Sequence, residues 1–76
     1  MKLTSLAANQ TQLVLADGTE ILFSYETPVA AQLPGFEYIK TATKWSQTTT
    51  RHINKWLDGV TATEVDQEVL NNLVKG

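Results

Sequence analysis

Apolar and β-branched residues dominate two short runs near the start of the chain, Leu13-Val14-Leu15-Ala16 and Thr19-Glu20-Ile21-Leu22-Phe23-Ser24-Tyr25, with Asp17-Gly18 between them. A two-residue Asp-Gly link between such runs predicts a β-hairpin with a type I′ turn, which needs positive φ at both central residues. A shorter strand over Lys2–Ala7, turning at Ala8-Asn9-Gln10, is predicted ahead of it. After Glu26-Thr27-Pro28 the run Val29–Leu33 reads as a strand. Pro34-Gly35 suits the middle of a type II turn, and Phe36–Thr41 returns as the last strand. Five short strands with tight turns predict an antiparallel meander rather than a parallel βαβ arrangement.

The period changes after Trp45. Ser46 is a good N-cap, and Thr49, Ile53, Trp56, Leu57 and Val60 recur at helical spacing until Asp58-Gly59 ends the helix. Thr63 then caps a second helix, with Asp66 at the N3 position and Val65, Val69, Leu70, Leu73 and Val74 as its apolar face. The expected fold is therefore α+β: a small antiparallel sheet over about residues 2–41, then helices over about 47–58 and 64–75. All of it forms one domain, 1–76.

With Asp17-Gly18 as a two-residue turn, Val14 pairs with Ile21 on one face and Leu13 with Leu22 on the other. The first face extends through Phe23 and Tyr25, the second through Leu15. Both faces are apolar, whereas a half-solvated antiparallel sheet alternates. Two short helices on one face leave the other to be covered by the sheet curling over itself or by a second copy in a homo-oligomer.

Composition narrows the setting. With 76 residues there is room for one core only, and with no cysteine there are neither disulfides nor thiolate metal sites. That absence, and an N-terminal run Met1–Leu6 too short in apolar residues for a signal peptide, point to the cytoplasm. No stretch approaches the ~20 apolar residues of a membrane helix. The net charge is −2, yet Lys40, Lys44, Arg51, Lys55 and His52 fall in a window, Tyr38 to Leu57, that holds no acid. A basic island in an acidic protein is the first functional signal.

The candidate chemistry lies in that island. A helix N-terminus presents unpaired N–H groups and about half a positive charge. The second helix answers with Glu64, Asp66 and Glu68; the first offers only a serine, a glutamine and threonines, with Lys44 and Arg51 beside them. Such a start suits a phosphate or carboxylate. The candidate ligand-binding residues are Lys44, Trp45, Ser46, Thr48, Thr49, Arg51 and His52. Trp45 would stack on a base, or serve as a hydrophobic staple. Read blandly, Ser46 merely caps, the threonines touch the sheet and the cations are solvated. Trp56 reads as core, and Tyr25, Phe36 and Tyr38 as core or interface aromatics.

Other chemistries lack their parts. His52 is a lone histidine without nearby carboxylates for a metal site. Ser46 and His52, six residues apart, lie on different sides of a helix; Thr48 and His52 are neighbours, but no local acid orients the imidazole. Neither a P-loop nor a Gly-x-Gly-x-x-Gly occurs. The expectation is no enzyme and no cofactor. A helix-turn-helix on duplex DNA would bring Glu64, Asp66 and Glu68 against phosphates, so that reading is set aside. Single-stranded nucleic acid along a sheet bearing Tyr25 and Tyr38 stays open.

The segments Phe23-Ser24-Tyr25-Glu26-Thr27-Pro28-Val29-Ala30 and Trp45-Ser46-Gln47-Thr48-Thr49-Thr50-Arg51-His52-Ile53-Asn54-Lys55-Trp56-Leu57 resemble a family of very short proteins of tailed bacteriophages and bacterial mobile elements. The likeness spans roughly residues 11–60. It implies a setting, a small accessory protein acting in the host bacterial cytoplasm by stoichiometric binding, and no catalytic residues. The leading expectation is a homo-oligomer that sequesters a phosphorylated small molecule, such as a nucleotide immune signal, at the Ser46 helix start. The alternatives are a protein–protein inhibitor of a host defence protein (anti-CRISPR-like) and a single-stranded nucleic-acid binder.

Overall fold

A computed structural model describes residues 2–7, 9–35 and 37–75. Ala8, in the expected first turn, and Phe36, the expected start of the last strand and a candidate core aromatic, lie outside the described residues. The chain forms a six-stranded sheet with one helix on each face. Strands β1 (Lys2–Ala7), β2 (Gln10–Val14), β3 (Glu20–Ser24), β4 (Thr27–Leu33) and β5 (Glu37–Thr41) make the antiparallel meander that the turn signals predicted. Helix α1 (Gln47–Leu57) follows, then a sixth strand, β6 (Thr63–Val65), and helix α2 (Gln67–Lys75).

β6 overturns two expectations. It pairs parallel with β5, Ile39 opposite Thr63 and Thr41 opposite Val65, so β5, α1 and β6 form a parallel crossover. Thr63 is a strand residue rather than a helix cap, and α2 begins three residues later than expected from about 64. Thr63 and Val65 are β-branched and fit a pleated strand better than a helix start. Val65, expected on the helix face, instead packs from β6 against the cluster that α2 covers.

The first hairpin also differs from the expected one. The Leu15 N–H bonds the Thr19 carbonyl at 2.8 Å, and the Gly18 N–H bonds the Leu15 carbonyl at 3.1 Å. These bonds close a three-residue loop, Ala16-Asp17-Gly18, in which Gly18 alone has positive φ, +94°. That is the type I turn with a following left-handed glycine, not a two-residue type I′ turn. The Asp17 carboxylate fixes it by accepting the Thr19 N–H at 2.9 Å. The extra loop residue moves the register by one: Leu13 faces Ile21, Gln12 faces Leu22 and Val14 faces Glu20. The expected pairs Val14–Ile21 and Leu13–Leu22 do not form, because a one-residue slip exchanges the two faces of a strand.

The corrected register separates the core into two clusters, one on each face of the sheet. Leu13, Ile21, Ala31 and Ile39 lie on one face under Leu70 of α2, with Phe23, Leu33 and Leu73 packed around them. Leu22, Val29 and Ala30 lie on the other under Ile53 and Leu57 of α1, with Tyr38 and Trp56 alongside. Val29 and Ala30 are consecutive yet share the α1 side. The register shift between Leu22 and Phe23, which pair with Ala30 and Pro28, leaves Val29 as a bulge residue. Each face is thus covered by the chain's own helix, and the two apolar faces find cover without a second copy.

Helix α1 forms as its sequence dictates. Ser46 is extended (φ −162°, ψ 167°) and its hydroxyl accepts the Thr49 N–H, while Asp58 closes the helix in the left-handed region (φ 49°). Thr49, Ile53 and Leu57 are buried along one stripe with Trp56 half-buried. Val60, expected on that stripe, lies beyond the cap and is exposed. No helix among the described residues is long and apolar enough to cross a membrane.

Candidate functional site

The loop from β5 into α1 and the first turns of α1 enclose a cleft of about 540 Å3, lined by Lys44, Trp45, Ser46, Gln47, Thr50 and Arg51. Four of the seven candidate residues, Lys44, Trp45, Ser46 and Arg51, therefore meet in one place. The first turn of α1 holds no acid. The Thr49 N–H is taken by the Ser46 hydroxyl at 3.1 Å and the Thr50 N–H by the Ser46 carbonyl at 3.0 Å. The N–H groups of Gln47 and Thr48 precede any intrahelical acceptor, so the positive end of the helix remains open to an anion. Lys44 and Arg51 add two full charges at its margin.

The other three candidates sit elsewhere. Thr48 is exposed and does not line this cleft. Thr49 is buried, and His52 is half-buried and faces the sheet. The histidine Nδ1 lies 2.7 Å from the hydroxyl of Ser24, at the end of β3. The same Ser24 hydroxyl lies 3.0 Å from Thr49 Oγ1, which in turn accepts the Ser46 hydroxyl at 3.3 Å. Each hydroxyl has a single proton. Either hydroxyl can donate in the Ser24–Thr49 contact, and the tautomer of His52 sets which atom donates in the Ser24–Nδ1 contact. A chain of hydroxyls thus runs from the cleft mouth, through the interior, to the imidazole.

Ser24 was absent from the sequence-derived site, although a signal existed. It is a polar residue on the same face as Leu22 and only 2% exposed, so it requires an internal partner. The serine and histidine stand at the separation of a nucleophile and its base. The serine is buried, and the contact ties α1 to β3.

Trp45 is half exposed, at 50%. Its indole N–H donates to the Gln67 side-chain oxygen at 3.1 Å, and the Gln67 amide donates to the Pro28 carbonyl at 2.7 Å. The indole is therefore tied to α2 and β4 rather than stapled onto α1. Nothing in the helical periodicity around Gln67 marked it for this task. Trp56 behaves as the core residue expected: its N–H donates to the Gln12 oxygen at 2.9 Å and its ring meets Tyr38 edge-on at 6.2 Å.

The basic island divides in space. Lys44 and Arg51 flank the cleft just described, Lys55 lines a separate cleft with Gln10, Gln12 and Asp58, and Lys40 lines a third with Glu64 that Lys44 and Thr50 also border. Among the described residues no three metal-ligating side chains come together.

No curated protein and no solved structure matches the chain. A family model does, over residues 1–72, and on that match the chain belongs to a family of unknown function (DUF8033).

Proposed function

We propose that this protein binds a small phosphorylated molecule in the cleft at the start of α1 and acts by holding it rather than by transforming it. The observation that carries the reading is the meeting of Lys44, Arg51 and Trp45 around a helix start with no acid in its first turn. Phosphate at such a terminus gains from the helix N–H groups and from both side-chain cations, while an indole beside it supplies an apolar surface. The resemblance to short proteins of phages and mobile elements supports a setting in a host bacterial cytoplasm, where titrating a nucleotide signal would be a form of counter-defence. The arrangement needs no second chain to complete the cleft; a homo-oligomer remains part of the proposal only as a way of presenting several such clefts.

The test is a thermal-shift titration with inorganic phosphate and with nucleotides. A ligand at ~100 times its Kd stabilises the fold by about 2.7 kcal/mol, a shift of several degrees for so small a domain. The shift is expected to vanish in Arg51→Glu. A shift of equal size in that variant would remove the cleft from consideration.

One observation favours a protein partner instead. Glu64, Asp66 and Glu68 are all exposed, and Val69 and Val74 on α2 are 44% and 39% exposed. An inhibitor working through this acidic, partly apolar surface would lose activity on Glu64→Lys with Glu68→Lys and would be indifferent to Arg51→Glu.

A further inference from the structure

A second cleft, of about 220 Å3, adjoins the first and shares Trp45 and Ser46 with it as a common wall. Its lining also includes the exposed Tyr25, Thr27, and the buried Ser24, Val29 and Thr49. We propose that this cleft is the subsite for a single planar ring of the ligand, so that the molecule bound is a mononucleotide, with its base between Tyr25 and Trp45 and its phosphate beside Lys44 and Arg51. The inference rests on the phosphate reading for the second half of the ligand only.

Three observations carry it. First, the two rims are the most exposed large apolar residues described, Tyr25 at 52% and Trp45 at 50%. Both are nevertheless held in place. Trp45 is fixed through Gln67. Tyr25 has a left-handed backbone (φ 59°), unusual for an aromatic residue, its N–H donates to the Asn9 carbonyl at 2.7 Å, and its ring rests against His52 at 6.2 Å. Two exposed rings already fixed in position lose little freedom when a ligand stacks on them.

Second, the lining is mixed. Val29 is fully buried and apolar, while Ser24 and Thr49 belong to the hydroxyl chain that ends on His52. The exposed part of the lining is two aromatic rings, Tyr25 and Trp45, with the Ser46 hydroxyl beside them, and aromatic surface with a polar group next to it suits a heteroaromatic base better than an aliphatic chain.

Third, size decides how many rings enter. About 220 Å3 is below the roughly 300 Å3 at which sites for whole small molecules begin. The cleft takes one ring system and leaves the remainder of the ligand to its larger neighbour.

The experiment titrates the full chain with adenosine 5′-monophosphate, ribose 5-phosphate and adenosine, following the two indole N–H signals by NMR and affinity by calorimetry. The monophosphate is expected to move the Trp45 signal and not that of Trp56. It should bind roughly fivefold to a hundredfold more tightly than ribose 5-phosphate, the range for a base stacked on an aromatic side chain. Tyr25→Asn, a residue that tolerates positive φ, should bring the monophosphate down to the affinity of ribose 5-phosphate and leave ribose 5-phosphate itself unchanged. Equal affinities for the two phosphates, or an equal loss for both in Tyr25→Asn, would overturn the ring subsite while leaving the phosphate reading in place. Adenosine binding as well as its monophosphate would support the subsite and overturn the phosphate reading. No binding by any of the three would overturn both.

Discussion

Ser24 carries more of the molecule than a strand-end serine normally does. Among the described residues its hydroxyl is the one side-chain hydrogen-bond partner of His52, so removing it leaves the half-buried imidazole without that partner and Thr49 with Ser46 alone. An unsatisfied buried donor or acceptor costs about 1–3 kcal/mol, and in a domain of this size each kcal/mol moves Tm by roughly 4–8 °C. Ser24→Ala is expected to lower Tm by several degrees, whereas Thr48→Ala, on the exposed face of the same helix, should change stability by less than about 0.5 kcal/mol. Paired thermal melts decide it, and equal Tm values for the two variants would mean that the hydroxyl chain does not tie α1 to β3. Asp17 acts in a different way. Thr19, first through its backbone N–H and then its side chain, holds the Asp17 carboxyl below its ordinary range. A carboxyl so lowered adds stability above the unfolded-state value and loses it as pH falls through the folded one. The Tm gap between the native chain and Asp17→Ala should therefore be widest near neutral pH and close as the solution is taken to about pH 2.5. A gap that stays constant over that range would separate the turn's stability from the charge of Asp17.

At the scale of elements, the hairpin shows what was legible in the sequence and what was not. That a turn lies at Asp17-Gly18 follows from glycine's freedom at positive φ; whether the loop has two residues or three depends on whether aspartate also enters that region. Here Asp17 does not, because its side chain already satisfies the Thr19 N–H from a right-handed turn. The position of the turn could be read, and the register could not. The same limit applied at Thr63. A threonine followed three residues later by an aspartate satisfies a capping pattern, and only the open edge of β5 draws that segment into a strand. Helix α1 was read almost to the residue because cap, stripe and terminator agree. Helix α2 depends more on tertiary contact. Leu70 is its sole fully buried residue, inserted over Leu13, Ile21, Ala31 and Ile39. Leu70→Ala is expected to cost about 2–5 kcal/mol, a large share of the stability available to a domain of this size. Urea unfolding should show the midpoint falling accordingly. A midpoint within error of the native one would mean that α2 is not docked on this face.

The whole molecule resolves a problem that its strands posed. A sheet apolar on both sides requires two covers, and the crossover through β6 supplies them by carrying the chain from α1 on one face to α2 on the other. Sequence reasoning saw the two faces and the two helices but placed both helices together, because the three-residue strand between them is shorter than a periodicity can register. The candidate site was half legible for a related reason. Residues adjacent along the chain, Lys44 to Ser46, and one turn further at Arg51, could be grouped from sequence; Ser24, Tyr25 and Gln67 come from distant elements and only the fold brings them in. Folding also disperses the basic island, and this bears on the remaining rival, a single-stranded nucleic acid. Such a ligand needs a continuous cationic track and stacking platforms, yet Lys55 faces another cleft, the cleft that Lys40 shares with Lys44 also holds Glu64, and Tyr38 packs against Trp56. The two readings differ in salt dependence. Each phosphate neutralised on a single strand contributes about −0.7 to the slope of log affinity against log salt, so four contacts imply about a fiftyfold loss between roughly 50 and 200 mM salt. A mononucleotide that meets only Lys44 and Arg51 loses less than about tenfold over the same interval, even with that slope taken as an upper bound. Calorimetry with adenosine 5′-monophosphate at the two salt concentrations, beside a short oligodeoxynucleotide, measures both losses directly. A shallow dependence for the nucleotide, with weaker oligonucleotide binding, assigns the charge to one compact pocket. A steep dependence shared by both would assign it to a track along the surface instead, with Lys40 and Lys55 acting together with Lys44 and Arg51.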